Sequence, residues 1–158
     1  MAEDIQELLN YAYFYLKFRP RTKREMELYL LKKIQKRFWS QGHVKQAIAK
    51  LEEQNFLNDK AFIEWYVEQR NRAKPKSEFV LHAELLKYGA QKEDIDRFFE
   101  EYAVDEDVLA VRALERKWMN MRSLSREERF KKSYSFLARR GFSYDTIKKT
   151  IEKAEEKE

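Results

Sequence analysis

Apolar residues recur along this chain at intervals of three and four positions, which is the spacing of one face of an α-helix. The first such stretch predicts an amphipathic helix over residues 4–18, which Pro20 ends because proline cannot continue a helix. Its apolar face consists of Ile5, Leu8, Leu9, Ala12 and Leu16. We therefore expect this segment to pack one face against a core and to expose the other.

Capping residues predict where the next helices begin and end. Thr22 and Glu25 form the pattern of a capping box, in which the threonine oxygen accepts the N–H of Glu25 and the glutamate carboxylate accepts the N–H of Thr22. A long second helix is predicted from there to about Trp39, and Gly42 breaks it. A third helix follows, and its apolar face lies at Val44, Ile48 and Leu51.

A fourth helix and a basic turn are predicted in the middle of the chain. Asn58 or Asp59 is expected to cap this helix, because both side chains can accept a hydrogen bond from first-turn N–H groups. The basic stretch of residues 70–76 follows, and Pro75 disfavours the helical conformation at Lys74. The chain is therefore predicted to turn there.

Two later segments repeat one design at an offset of 52 residues. Residues 85–90 are Leu-Leu-Lys-Tyr-Gly-Ala and residues 137–142 are Leu-Ala-Arg-Arg-Gly-Phe, so each ends a helix at a glycine. A weaker copy of the pattern extends to the front of the chain, and residues 125–128 form a second capping box. A period of about 50 residues with three helices is typical of tandem helical repeats.

We therefore predict an all-α protein built of three tandem three-helix repeats that form an elongated, curved array. The predicted repeats cover residues 5–56, 57–103 and 104–157. Stacked repeats present a continuous face and not a deep pocket, so function is expected at a surface. The scarcity of helix breakers, with three glycines and two prolines, supports the all-α prediction.

Composition excludes several classes of function. The chain has no cysteine, which rules out disulfides, thiolate metal sites and thiol nucleophiles and is compatible with a reducing cytosol. The longest uncharged run, residues 8–16, is too short to cross a membrane, and the acidic start does not resemble a signal peptide. We therefore expect a soluble, cytoplasmic protein without a membrane partner.

The net charge is +5, and the positive charge is concentrated at the front: residues 1–50 contain eleven Lys and Arg against five Asp and Glu. Three basic groups stand out. For any one group a solvated helix surface is the favoured explanation, but their recurrence at corresponding helix ends strengthens the case for contact with a polyanion or an acidic partner. The candidate contact residues are Lys32, Lys33, Lys36 and Arg37, then Arg70, Arg72, Lys74 and Lys76, then Arg139 and Arg140.

Few residues could support catalysis. His43 and His82 are far apart in sequence and form no metal-ligand pair, so we expect His43 to open a helix and His82 to lie on a partly buried helix face. The acidic run from Asp105 to Asp107 could act in acid–base chemistry or bind a cation, but acids in a first helical turn also stabilise the helix dipole. We favour the dipole role and predict no catalytic residue, metal or cofactor.

Aromatic residues make up 15% of the chain and could stack on nucleic-acid bases. Small helical bundles also need bulky side chains to fill their cores. Trp118 lies in register with Val111, Leu114 and Met121, so we expect its side chain to be buried.

Three segments together carry a family resemblance. They are Arg-Pro-Arg-Thr at residues 19–22, followed by Glu25 and Leu28; residues 51–62, which lead to Tyr66 and Arg70; and Phe-Leu-Ala-Arg-Arg-Gly-Phe-Ser at residues 136–143. With a weaker fourth segment at residues 84–89, they resemble the RecX family of RecA regulators over nearly the whole chain. Members of that family are built from tandem three-helix repeats.

The resemblance implies a non-enzymatic regulator that needs no cofactor, binds the RecA recombinase–DNA filament and inhibits or modulates strand exchange and ATP hydrolysis. It connects the chain with DNA recombination, DNA repair and the SOS response, and we expect a monomer. By matched motif positions it implies contact through Arg70, Arg72, Lys74, Lys76, Arg139 and Arg140. The main alternative is a helical protein that binds single- or double-stranded DNA without a recombinase partner.

Overall fold

The computed structural model describes residues 2–35, 39–102 and 105–158. Within these ranges the chain forms nine α-helices and no β-strand, which confirms the all-α prediction, and none of these helices is long and apolar enough to span a membrane. In chain order they are α1 (Ala2–Leu16), α2 (Lys23–Ile34), α3 (Gln41–Glu53), α4 (Asp59–Ala73), α5 (Glu78–Lys87), α6 (Lys92–Glu101), α7 (Glu106–Met119), α8 (Arg126–Arg139) and α9 (Tyr144–Glu156). The repeat boundaries at 5–56, 57–103 and 104–157 stay a prediction.

The chain divides into two compact units, of which the first contains Met1–Trp65 and Leu85–Phe98. Helices α1, α2 and α3 enclose its main core. The buried side chains of α1 and α2 are Leu8, Leu9, Ala12, Met26 and Leu30. The periodicity of α1 therefore identified its core face, and each large apolar side chain buried there contributes about 1.5–3 kcal/mol to folding.

The second unit contains Tyr66–Glu84 and Phe99–Glu158, and its core lies among α7, α8 and α9. Trp118 is only 8% exposed, so the prediction that its side chain is buried is confirmed. The other large core side chains are Leu109, Leu114, Met121, Leu137, Phe142, Ile147 and Ile151.

The predicted helix caps are present at the starts of α2 and α4. Thr22 Oγ1 accepts the N–H of Glu25, and Glu25 Oε1 accepts the N–H of Thr22, both at 3.1 Å. Of the two candidate caps of α4, Asn58 is the one that accepts a first-turn hydrogen bond, from the N–H of Ala61 at 3.2 Å. These local signals could be identified from sequence because cap and helix are adjacent in the chain.

Two helix boundaries differ from the prediction. Helix α2 ends at Ile34 and does not reach Trp39, whose side chain is buried in the first unit and packs edge-on against Tyr11 with ring centres 6.1 Å apart. The indole contributes to the core from outside the helix. Gly42 lies in the first turn of α3 and does not separate the helices, since the N-cap residue of α3 is Ser40.

A glycine closes a junction between helix ends in the first unit. Gly89 follows α5 with φ = +95°, and a Cβ there would overlap the side chain of Arg24 on α2. Next to it, Thr22 Oγ1 donates to the carbonyl of Tyr88 at 2.7 Å. The start of α2 therefore meets the end of α5 at a distance that only glycine permits.

The second unit contains a junction of the same design. Gly141 follows α8 with φ = +87°, and a Cβ there would overlap the side chain of Val80 on α5. The N–H of Ser77 donates to the carbonyl of Arg140 at 3.1 Å. In each junction, a carboxylate from the start of a further helix also accepts the first helical N–H: Asp59 accepts that of Lys23, and Glu106 that of Glu78.

Candidate nucleic-acid interface

The junction in the second unit brings together two of the three predicted basic groups. Arg140 Nη1 donates to the carbonyl of Pro75 at 3.1 Å, and Ser77 donates its N–H to the carbonyl of Arg140. Pro75 and Ser77 are both buried. The basic turn between α4 and α5 is therefore fixed against the C-terminal end of α8.

Two basic side chains of this turn are neutralised inside the protein. Lys76 Nζ lies 3.1 Å from Glu84 Oε2, and Arg70 Nε lies 3.5 Å from Glu84 Oε1. Arg70 Nε also donates to the hydroxyl of Tyr66 at 3.1 Å. Any phosphate group that approached Arg70 or Lys76 would have to compete with the carboxylate of Glu84.

Arg140 combines a hydrogen bond with aromatic packing. Its guanidinium carbon lies 4.7 Å from the centre of the Phe136 ring, and its Nη1 is engaged by the carbonyl of Pro75. Burial lowers the pKa of Arg140 below its ordinary value, which is the direction expected when a cation is removed from water. These contacts give Arg140 a structural role at the turn, and its predicted role as a contact residue stays a prediction.

Arg72, Lys74 and Arg139 are exposed, and within the described residues none of them has an acidic partner. Arg72 lies in the last turn of α4, Lys74 precedes the buried Pro75, and Arg139 ends α8 immediately before Arg140. We call Arg72, Lys74 and Arg139 the exposed cations. They are the side chains of the turn and of the α8 end that could neutralise phosphate groups without breaking an internal ion pair.

The described members of the third basic group, Lys32 and Lys33, lie on α2 in the first unit. Lys32 is exposed, whereas Lys33 is half-buried with its Nζ 5.1 Å from the ring centre of Tyr11 and 5.2 Å from that of Tyr29. Lys36 and Arg37 lie outside the described residues. Lys33 is therefore engaged in cation–π contacts, and Lys32 is the member of this group that the structure shows as exposed.

The acidic run at the start of α7 has capping roles. Asp105 is the N-cap residue and accepts the N–H of Asp107 at 3.0 Å, and Glu106 Oε1 accepts the N–H of Glu78 at 2.7 Å. Burial raises the pKa of Glu106, and the hydrogen bond from Glu78 partly opposes that shift. These contacts support the helix-start interpretation, and in the described parts of the chain no group of three or more His, Cys, Asp and Glu could hold a metal ion.

Both histidines lie where the sequence predicts. His43 Nδ1 accepts the N–H of Ser40 at 3.0 Å at the start of α3, which confirms that His43 opens a helix. His82 is half-buried on α5. The contact of His43 is local and explains the residue without any catalytic role.

Sequence reasoning did not single out Phe79, the most exposed of the large apolar side chains that the structure describes. Its exposed fraction is 80%. The residue lies in the first turn of α5, out of register with Leu81 and Leu85, which are buried. That mismatch with the apolar face of the helix is the sequence signal that could have identified it.

Comparison with known proteins gives consistent matches. The family model that describes the third three-helix domain of RecX matches residues 105–151. A regulatory protein RecX of Pelodictyon phaeoclathratiforme is 32% identical over 143 residues, which cover 90% of this chain and 86% of that protein. A regulatory protein RecX of Bacillus cytotoxicus is 31% identical over 155 residues, and the match covers 98% of this chain. This chain spans only 56% of the length of the Bacillus relative.

The fold also has a counterpart among solved structures. The crystal structure of RecX from Lactobacillus salivarius matches with a TM-score of 0.76 at 26% sequence identity, over 98% of this chain and 99% of that one. A second crystal structure, of a regulatory protein RecX, matches with a TM-score of 0.72 at 19% identity and supports the fold alone. The all-helical repeat fold is therefore shared with these structures.

Proposed function

The chain belongs to the RecX family, whose members are named as regulatory proteins, and from this premise we propose that it binds the RecA recombinase–DNA filament and inhibits its strand-exchange and ATPase activities. In this proposal the protein is a cytoplasmic monomer that acts by docking onto the filament and catalyses no reaction of its own. The residues that could have suggested catalysis instead accept backbone N–H groups at helix starts. They are Asp105, Glu106 and His43.

The observation that carries this proposal is the position of the exposed cations Arg72, Lys74 and Arg139. They flank a turn that is fixed by hydrogen bonds and a buried proline, so the backbone of the turn loses little conformational entropy when these side chains meet a partner. Each cation that neutralises a phosphate releases a counterion, which makes binding favourable and sensitive to salt. Several such weak contacts to a repetitive filament would reinforce one another.

The test is a titration of the purified protein into preformed filaments of the cognate recombinase on single-stranded DNA, with ATP hydrolysis and filament length followed together. We expect both to decrease as protein is added. The triple variant R72E/K74E/R139E should need about tenfold more protein for the same effect, since reversing charges at a phosphate-facing surface removes attraction and adds repulsion.

A matched control reverses three exposed lysines of the same unit that lie on α9 and not on this turn or on α8, at Lys148, Lys149 and Lys153. The control carries the same net charge as the test variant but should keep nearly full inhibition. Equal loss in both variants would show that net charge, and not the turn, determines the effect. If the wild-type protein changed neither ATP hydrolysis nor filament length, the proposal would be wrong.

The alternative is a helical DNA-binding protein without a recombinase partner, which the same exposed cations also support. The two functions differ in how they depend on the recombinase. Tight binding to bare DNA that is unchanged when recombinase is added would favour the alternative, whereas stronger binding to filaments than to bare DNA favours the proposed function.

A further inference from the structure

Phe79 is an exposed apolar side chain in the first turn of α5, five positions after Lys74 in the chain. Its residue is two positions beyond Ser77, whose N–H is bonded to Arg140, and Arg140 in turn follows Arg139 directly. An aromatic ring that is 80% exposed gains little from the protein itself. Exposed aromatic rings of this kind are enriched where a protein meets a partner.

The backbone that carries Phe79 is firmly held. Ser77 is 4% exposed, and its Oγ accepts the N–H of Val80 at 3.3 Å as the cap of α5. Val80 lies against Gly141 so closely that no Cβ would fit at the glycine. The backbone of the first turn of α5 is thus fixed on both sides of Phe79.

The charges around this turn favour a polyanion over an apolar protein pocket. Arg72, Lys74 and Arg139 are exposed and carry positive charge. The negative charge of Glu84 is neutralised by ion pairs with Arg70 and Lys76. The carboxylate of Glu106 accepts a hydrogen bond from the N–H of Glu78. The side chain of Glu78 is exposed, and Glu78 directly precedes Phe79 in the chain. An exposed aromatic ring in the same turn region as exposed cations is a combination suited to single-stranded nucleic acid, whose bases stack on aromatic side chains and whose phosphates pair with Lys and Arg.

We propose that Phe79 stacks on an unpaired base of single-stranded DNA while the exposed cations hold the neighbouring phosphates. This inference rests on the proposed function in one respect, which is that the proposed partner, a recombinase–DNA filament, contains DNA. In a duplex the bases are already paired and stacked, so the ring has no face to meet, and the site should prefer single-stranded over double-stranded DNA. Stacking is tolerant of sequence because every base has a π-face.

The experiment measures binding of the full chain to fluorescent oligothymidylate and to a duplex of the same length, without recombinase. We expect F79A to weaken binding to the single strand about tenfold and to change duplex binding less than twofold. F79W should retain the single-strand affinity, and its indole emission should be quenched on binding. F79L should resemble F79A, because leucine restores the apolar surface without an aromatic face.

F56A is the matched control. Phe56 is also exposed, at 56%, but it belongs to the first unit and its ring packs edge-on against Tyr13 with ring centres 5.6 Å apart, so its removal should leave DNA binding unchanged. In addition, E78Q should strengthen single-strand binding, because it removes a negative charge beside the proposed path of the phosphates.

Several results would overturn the inference. They are wild-type affinity in F79L, equal loss of single-strand and duplex binding in F79A, and unchanged single-strand binding in F79A. If F79A binds bare DNA normally but binds filaments less well, the ring contacts the recombinase and not a base. Since the DNA assays contain no recombinase, they can fail while the titration with filaments succeeds, and the reverse also holds.

Discussion

Arg139 and Arg140 are adjacent arginines that should respond in opposite ways to substitution by alanine. Arg139 is exposed and has no partner in the described part of the chain, so R139A should change the free energy of unfolding by less than about 0.5 kcal/mol. Arg140 donates to the carbonyl of Pro75 and packs on Phe136. R140A removes a hydrogen bond from a charged donor and a cation–π contact at a half-buried site.

The expected cost of R140A follows from these two contacts. A hydrogen bond to a charged group contributes about 1.5–3 kcal/mol and a partly exposed cation–π contact about 0.5–1 kcal/mol. Because Arg140 keeps partial access to water, we take the lower part of that range, about 2 kcal/mol. For a chain of this length, that corresponds to a decrease in Tm of about 4–8 °C.

Thermal and urea unfolding followed by circular dichroism would measure both variants, and the filament titration would be run on each below its unfolding transition. We expect R140A to lower Tm with inhibition nearly retained, and R139A to keep Tm with inhibition weakened. Equal Tm values for the two variants would contradict the structural role of Arg140. A loss of inhibition in R140A at full stability would instead make Arg140 a contact residue.

Two further predictions concern Gly141 and Glu106. G141A should destabilise the protein by about 3 kcal/mol in urea unfolding, because φ is +87° and the new methyl group would overlap Val80, whereas G42A in the first turn of α3 should be neutral or slightly stabilising. The raised pKa of Glu106 means that its ionised form is disfavoured in the fold, so stability should decrease as the pH rises from the ordinary glutamate value of 4.5 through the higher folded pKa. E106Q should abolish that part of the decrease while its Oε1 still accepts the N–H of Glu78, and an unchanged pH profile would contradict this assignment.

The sequence predicts those parts of the fold that depend on neighbours along the chain. Thr22 and Glu25 are three residues apart, and the apolar face of α1 repeats within a single helix, so both could be identified from local patterns. The end of α2 at Ile34 could not be identified in this way, and neither could the packing of Trp39 against Tyr11, which is 28 positions away. Local propensity alone favours a longer helix there.

The candidate site illustrates the same limit. The sequence identifies Arg70, Lys76 and Arg140 as positive charges but does not reveal that Glu84 and the carbonyl of Pro75 engage them. Arg140 and Pro75 are 65 positions apart, so only the fold shows which cations remain exposed. Whether a charge is available to a partner depends on such distant contacts more than on its place in a basic run.

In the junctions at Gly89 and Gly141, a backbone carbonyl accepts a hydrogen bond from the helix that it meets. The close approach is possible because the next residue, a glycine, has no side chain. The residue before the glycine is Tyr88 in one junction and Arg140 in the other, yet each offers the same carbonyl to the helix it meets. The contact made by each carbonyl therefore does not depend on which side chain precedes the glycine, whereas a Cβ at either glycine would overlap Arg24 or Val80. A joint held by main-chain atoms can keep its geometry while the side chain in front of the glycine changes, which is compatible with a shared fold at 26% sequence identity.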